Sequence, residues 1–213
     1  MPRRAFACLA MLALAACEVD ENGEVRGFLP GGETGSASGR GALASPDRDA
    51  EPVRRVALAG GAVVVGGPRG YCVDPATVET NGTSGFAMIA SCRIIAGAGP
   101  EVAPVIVTVT VGAEEPAPLL PDPEALARLA GGPARAFPER GGLVTAQMQR
   151  GGSTVLAGGD ERYWRGAFLQ GQRIISLALY APEGSELAGD RGLAFLGDVR
   201  DVIRSASPGA GRG

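Results

Sequence analysis

Few residues in this 213-residue chain have side chains that could do chemistry, and the densest polar group is Asp160-Glu161-Arg162-Tyr163-Trp164-Arg165. An exposed Trp beside arginines and acids can stack a sugar ring or anchor a partner, so Arg162, Tyr163, Trp164 and Arg165 form a candidate binding surface. The competing reading is structural. In a strand, Trp164, Gly166 and Phe168 share one face and make a core stripe flanked by Arg162. Glycoside hydrolysis needs two carboxylates facing each other across ~5–10 Å. Asp74, Glu79, Asp160 and Glu161 are candidates, but their spacing selects no pair. Histidine is absent, and reading the chain shows that every basic residue is arginine. Arginine stays protonated and is no ordinary general base. Ser-His-Asp, Cys-His, Ser-Lys and Schiff-base sites therefore lack an essential member. A Walker-type phosphate loop lacks its lysine, and histidine-ligated zinc or haem lacks its ligands. No catalytic residue, metal site or cofactor is expected.

The cysteines are Cys8, Cys17, Cys72 and Cys92. Arg3 and Arg4 precede an apolar stretch from Ala5 to Ala16, the layout of an export signal with small residues before the cut. The stretch is shorter than the ~20 residues a membrane-spanning helix needs. Leu14-Ala15-Ala16-Cys17 resembles the lipobox of bacterial lipoproteins. The resemblance implies that residues 1–16 are removed, and that the Cys17 sulfur carries a diacylglycerol. Two or more acyl chains anchor stably, at ~0.8 kcal/mol per buried methylene. The implied address is the periplasmic side of the cell envelope. Glu18 rather than Asp after the cysteine points to the outer membrane, by analogy with enteric sorting. In that oxidising compartment Cys72 and Cys92 are expected to form a disulfide. Their separation argues against a redox-active Cys-x-x-Cys pair.

Residues 17–52 read as the lipidated cysteine and a tether. An acidic run, Glu18 to Glu24, leads into Gly31 to Gly41, which has almost nothing to bury. A coil of about 35 residues spans ~30–35 Å. Glu18, Asp20, Asn22 and Gly23 mimic the start of an EF-hand loop, but Leu29 stands where the bidentate Glu belongs. Once Arg3 and Arg4 leave with the signal, acids outnumber arginines by 23 to 18. No basic stripe with interleaved aromatics appears, so nucleic acid is not an expected partner.

From residue 53 to 206 the texture is one of short apolar runs punctuated by Gly and Pro. Residues 55–58 and 62–65 flank Gly60-Gly61 as a hairpin. Residues 86–95 read as one buried strand, and the β-branched run 105–111 as another. Two more hairpins are expected, one turning at Gly151-Gly152 (143–149 with 153–157) and one at Gln170-Gly171 (162–169 with 172–180). Asn81-Gly82-Thr83 reads as a turn. Asp122-Pro123-Glu124 opens a short helix that stops at Gly131-Gly132. Leu193, Leu196, Val199, Val202 and Ile203 recur at helical spacing as the apolar face of an amphipathic helix. Residues 207–213 are expected to be a disordered tail. The pattern predicts a single α+β domain: a curved antiparallel sheet, one short mid-chain helix and a C-terminal amphipathic helix packed on the sheet.

Two further resemblances concern this domain. Residues 68–75 (Pro-Arg-Gly-Tyr-Cys-Val-Asp-Pro) and 85–93 (Gly-Phe-Ala-Met-Ile-Ala-Ser-Cys-Arg) resemble a signature of uncharacterised alphaproteobacterial envelope proteins, to which no activity is attached. The C-terminal strands and final helix are similar in pattern to the PsbP-like fold, which implies binding and assembly. The expected function is accordingly that of a membrane-anchored envelope lipoprotein with a non-catalytic binding or assembly domain and an envelope protein as partner. The alternatives are a carboxylate-dependent hydrolase of envelope glycans and a carrier of small apolar ligands.

Overall fold

The computed structural model describes residues 53–129 and 132–209. Cys17, the expected export signal and tether, and the EF-hand-like run all lie outside the described residues. The elements are β1 (Arg55–Leu58), β2 (Val63–Gly66), β3 (Tyr71–Thr80), β4 (Gly85–Ser91), α1 (Cys92–Ala96), β5 (Ile106–Val111), α2 (Pro123–Leu129), β6 (Ala134–Arg140), β7 (Leu143–Met148), α3 (Gly152–Val155), β8 (Tyr163–Gln170), β9 (Arg173–Tyr180) and α4 (Asp190–Ala206). β1 and β2 form a small hairpin, and the other strands form one seven-stranded sheet in the order β3-β4-β5-β9-β8-β7-β6. Every pairing is antiparallel. The α+β class, the open antiparallel sheet and the C-terminal helix packed on it are as the residue pattern predicts.

Period-two alternation sets the two faces of the sheet. On the front, Val107, Val109 and Val111 of β5, Ile175, Leu177 and Leu179 of β9, and Trp164 and Phe168 of β8 are essentially inaccessible to solvent. They share one core with Leu58, Val63 and Val65 of the β1–β2 hairpin and with Phe195, Leu196, Val199 and Ile203 of α4. α4 therefore buries the apolar face that its three- and four-residue spacing marks out. α2 packs against β6 and β7. The Asp122 carboxylate caps its start, accepting the Ala125 N–H at 2.5 Å.

The structure corrects several local expectations. The strand expected over residues 86–95 ends at Ser91, and Cys92 opens α1. Its partner β3 begins only at Tyr71, opposite Ser91. Beyond that register Ile94 and Ile95 have no strand to pair with, whatever their β propensity. The hairpin expected at Gly151-Gly152 is absent. Residues 152–155 form α3, whose Gly152 N–H donates to Glu161 O at 2.9 Å, and β7 pairs instead with β6 and β8. β3 and β6 are the sheet edges, and neither reads clearly as a strand because Pro75 and Pro138 interrupt them. Edges are where a missing N–H is tolerated. β3 bulges between Asp74 and Glu79. There the Thr77 hydroxyl takes the Met88 N–H at 2.9 Å and donates to Asp74 O at 2.8 Å, so a side chain completes the ladder. Ser207 is not a tail residue. It is 4% exposed, and its hydroxyl accepts the Val64 N–H at 2.9 Å while donating to Ile203 O at 2.7 Å.

Candidate functional site

β8 separates the four residues of the predicted surface. Trp164 faces the front and is wholly buried. Its indole N–H donates to Gly189 O at 3.0 Å, and its ring lies 4.9 Å from that of Phe137. With its one polar group satisfied and its ring enclosed, Trp164 belongs to the core stripe and not to a binding surface. Arg162 is held by Asp160 through Nε (3.0 Å) and Nη2 (2.9 Å). Asp160 also accepts the backbone N–H groups of Arg162 (2.9 Å) and Gly184 (3.3 Å). The Arg162 guanidinium, chiefly through its hydrogen bonds, holds the Asp160 carboxyl at about 2, against the upward push of burial. This pair locks the turn before β8 onto the segment after β9.

Tyr163 and Arg165 point to the back of the sheet. Tyr163 stacks on Tyr180 across the β8–β9 pair, with ring centres 5.1 Å apart. The two rings form a small second core with Met148 and Ala178. Burial pushes the Tyr180 hydroxyl up, and the nearby Arg165 charge partly opposes this. Arg165 lies between Ala146 and Ala178 on the neighbouring strands, and its guanidinium carbon is 5.8 Å from the Tyr163 ring centre. Its Nε is shielded from solvent and has no hydrogen-bond partner.

Along the back face the cover thins in one direction. β7 is buried at all its positions, Val144, Ala146 and Met148 of this face included. Across β9, β5 and β4, by contrast, Ser176, Ile174, Ile106, Thr108, Phe86 and Met88 are part-exposed, while their front-facing neighbours are sealed. The result is a stacked Tyr pair, a part-exposed cation and a part-exposed apolar and hydroxyl surface along the sheet. Such an arrangement can bind.

The acids that glycoside hydrolysis would need are distributed otherwise. Asp74 and Glu79 sit on β3, and Asp160 and Glu161 just before β8. Four strand spacings separate β3 from β8, about 19 Å at ~4.8 Å each. Asp74 accepts the Ala76 N–H at 3.0 Å. Glu161 accepts the Ser153 hydroxyl and the Gly151 N–H, and these bonds lower its pKa. Among the described residues no three Cys, Asp or Glu side chains converge on a metal position. Surface grooves of about 350 and 490 Å³ flank α4, one beside Arg140, Leu143 and Arg200, the other beside Tyr71, Val102 and Phe195. In the first, Arg200 spends its donors on Arg140 O (2.8 Å), Gly141 O (3.1 Å) and Asp201 (2.8 Å).

Cys72 and Cys92 form the expected disulfide, with both residues buried. It joins the start of β3 to the first residue of α1. Among the described residues no helix is long and apolar enough to cross a membrane. Sequence reasoning missed Tyr180 as the partner of Tyr163. The signal was the turn between β8 and β9, which comprises Gly171 and Gln172 rather than Gln170 and Gly171, and so pairs Tyr163 with Tyr180. Comparison with protein-family models, with curated proteins and with solved structures finds no match to this chain.

Proposed function

We propose that this chain is a lipoprotein of the bacterial cell envelope, anchored on the periplasmic side through Cys17, whose α+β domain is a non-catalytic binding or assembly module. The observation that carries the binding role is the uneven cover of the sheet. Its front is sealed by α4 and the β1–β2 hairpin, whereas Phe86, Met88, Ile106 and Ile174 on the back keep part of their surface in water. Contiguous apolar surface left part-exposed on a sheet is a place for a partner. The anchor rests on Leu14-Ala15-Ala16-Cys17 and the basic-then-apolar segment before it. The test of the docking role is crosslinking in cells that express the full chain, with photoreactive groups at positions 88 and 106. Capture of a defined envelope protein from these positions, and not from exposed Asp201 on α4, is the expected result. Equal labelling from the two faces overturns it.

A further inference from the structure

We propose that Arg165 receives a carboxylate presented by an acidic, otherwise apolar segment of the partner protein. This rests on the docking role assigned above to the back face and names the chemistry it selects. Other buried or part-buried arginines near the sheet have counter-groups. Arg162 is paired with Asp160, Arg173 with Glu114 and Arg200 with Asp201. Arg204 donates to the carbonyls of Gly141 and Leu169. Arg165 enters none of the ion pairs among the described residues. Its Nε is already cut off from water without compensation. The part-exposed head group thus carries a charge with no ion-pair partner among the described residues, and an incoming anion supplies one.

The surroundings narrow the anion. Ala146 and Ala178 on the flanking strands leave the head group room, and the Tyr163 ring limits it on one side. The fork of terminal Nη groups suits end-on contact with a planar carboxylate. A single guanidinium with no converging backbone N–H groups is a poor cradle for a phosphate. One register row runs from Arg165 through Ala178 and Thr108 to Met88. That row spans about 14 Å at ~4.8 Å per strand. The carboxylate site and the open apolar patch are therefore within reach of one short extended segment. The open face of a sheet does not enclose an acyl chain, which disfavours a fatty acid.

The experiment measures binding of two fluorescent peptides to the full chain by anisotropy, acetyl-Val-Leu-Asp-Val-Ile-amide and its Asn counterpart. The Asp peptide is expected to bind about tenfold tighter, with the difference shrinking in high salt. R165Q should abolish the preference with little change in Tm, since it breaks no ion pair among the described residues and only a long contact with the Tyr163 ring, and R165K should keep only part of it. Equal binding of the two peptides, a preference that survives R165Q, or displacement by inorganic phosphate or laurate at lower concentration overturns the proposal. So does tighter peptide binding once Glu18, Asp20, Glu21 and Glu24 are neutralised, which makes the chain's own acidic run the occupant. Two results separate this proposal from the reading it rests on. Crosslinked partner captured equally by R165Q retains the docking face and removes the carboxylate site. Arg165-dependent peptide binding without any captured partner retains the site and removes the envelope partner.

Discussion

Trp164 can lie against α4 because position 192 has no side chain. A Cβ there would stand well inside van der Waals contact with the indole nitrogen and with Leu187 O. Gly192→Ala would gain up to ~1 kcal/mol of helix propensity. Overpacking against an immobile ring and a backbone oxygen costs about 1–3 kcal/mol or more, so the clash wins. Urea denaturation should show a net loss of about 1–2 kcal/mol at unchanged m-value, and wild-type stability would mean that α4 is free to shift. Asp160 gives a pH-dependent term. Its folded pKa of about 2 lies below the unfolded value of ~3.9, so its stabilisation is fully present above pH ~4 and is lost as pH falls toward 2. Arg162 is 42% exposed, so solvent screening reduces the contribution to about 1 kcal/mol. Asp160→Asn should lower Tm at pH 7 and leave it nearly unchanged near pH 2. An equal loss at both pH values would assign the effect to packing instead.

Elements here are stitched by side chains that a linear pattern does not reveal. The C-terminus of α4 is tied to β2 through Ser207, whose hydroxyl bonds in both directions. Ser207→Ala leaves the Val64 N–H without its partner and should cost about 1–2 kcal/mol in thermal or urea melts. A change within experimental error would mean that water replaces the hydroxyl. The disulfide spans 20 positions in sequence between β3 and α1. In the chain-entropy model such a closure contributes about 3 kcal/mol. The double variant Cys72→Ala, Cys92→Ala should lose an amount of that order, and alkylation of the oxidised protein should reach neither cysteine until it is reduced. α1 shows why the sequence misled at this point. Ile94 and Ile95 favour a strand locally, but a strand needs a neighbour, and β3 starts too late to supply one. β3 and β6 escaped notice for a related reason, since their prolines are costly in a central strand and harmless at an edge.

For the molecule as a whole, the proposed anchor gives a direct test. Cys17→Ser should move the protein from the membrane fraction to the soluble fraction, and a variant that still resists extraction would remove the lipidation reading. Some properties could be read without coordinates because they depend on composition or local period. The missing His and Lys close off mechanisms wherever the side chains lie. Valine at every second position of β5 makes a one-faced strand, and apolar spacing of three and four in α4 makes a one-faced helix. The two cysteines of the domain had only each other as partners once export was assumed. Other properties depend on which strands become neighbours, and sequence distance does not encode that. Trp164 was readable as either core or surface until α4 was seen to cover it. Tyr163 found Tyr180 only through a turn shifted by one residue, which kept each side chain on its face but changed its cross-strand partner. Arg165 looks like any other arginine of the chain. Its position between two alanines, with a buried Nε and no ion pair among the described residues, is a consequence of strand order alone. The sequence by itself determined what this protein lacks and which faces it must bury. Tertiary structure alone decided which face of the sheet stayed open, because cover is supplied by elements far away in the chain.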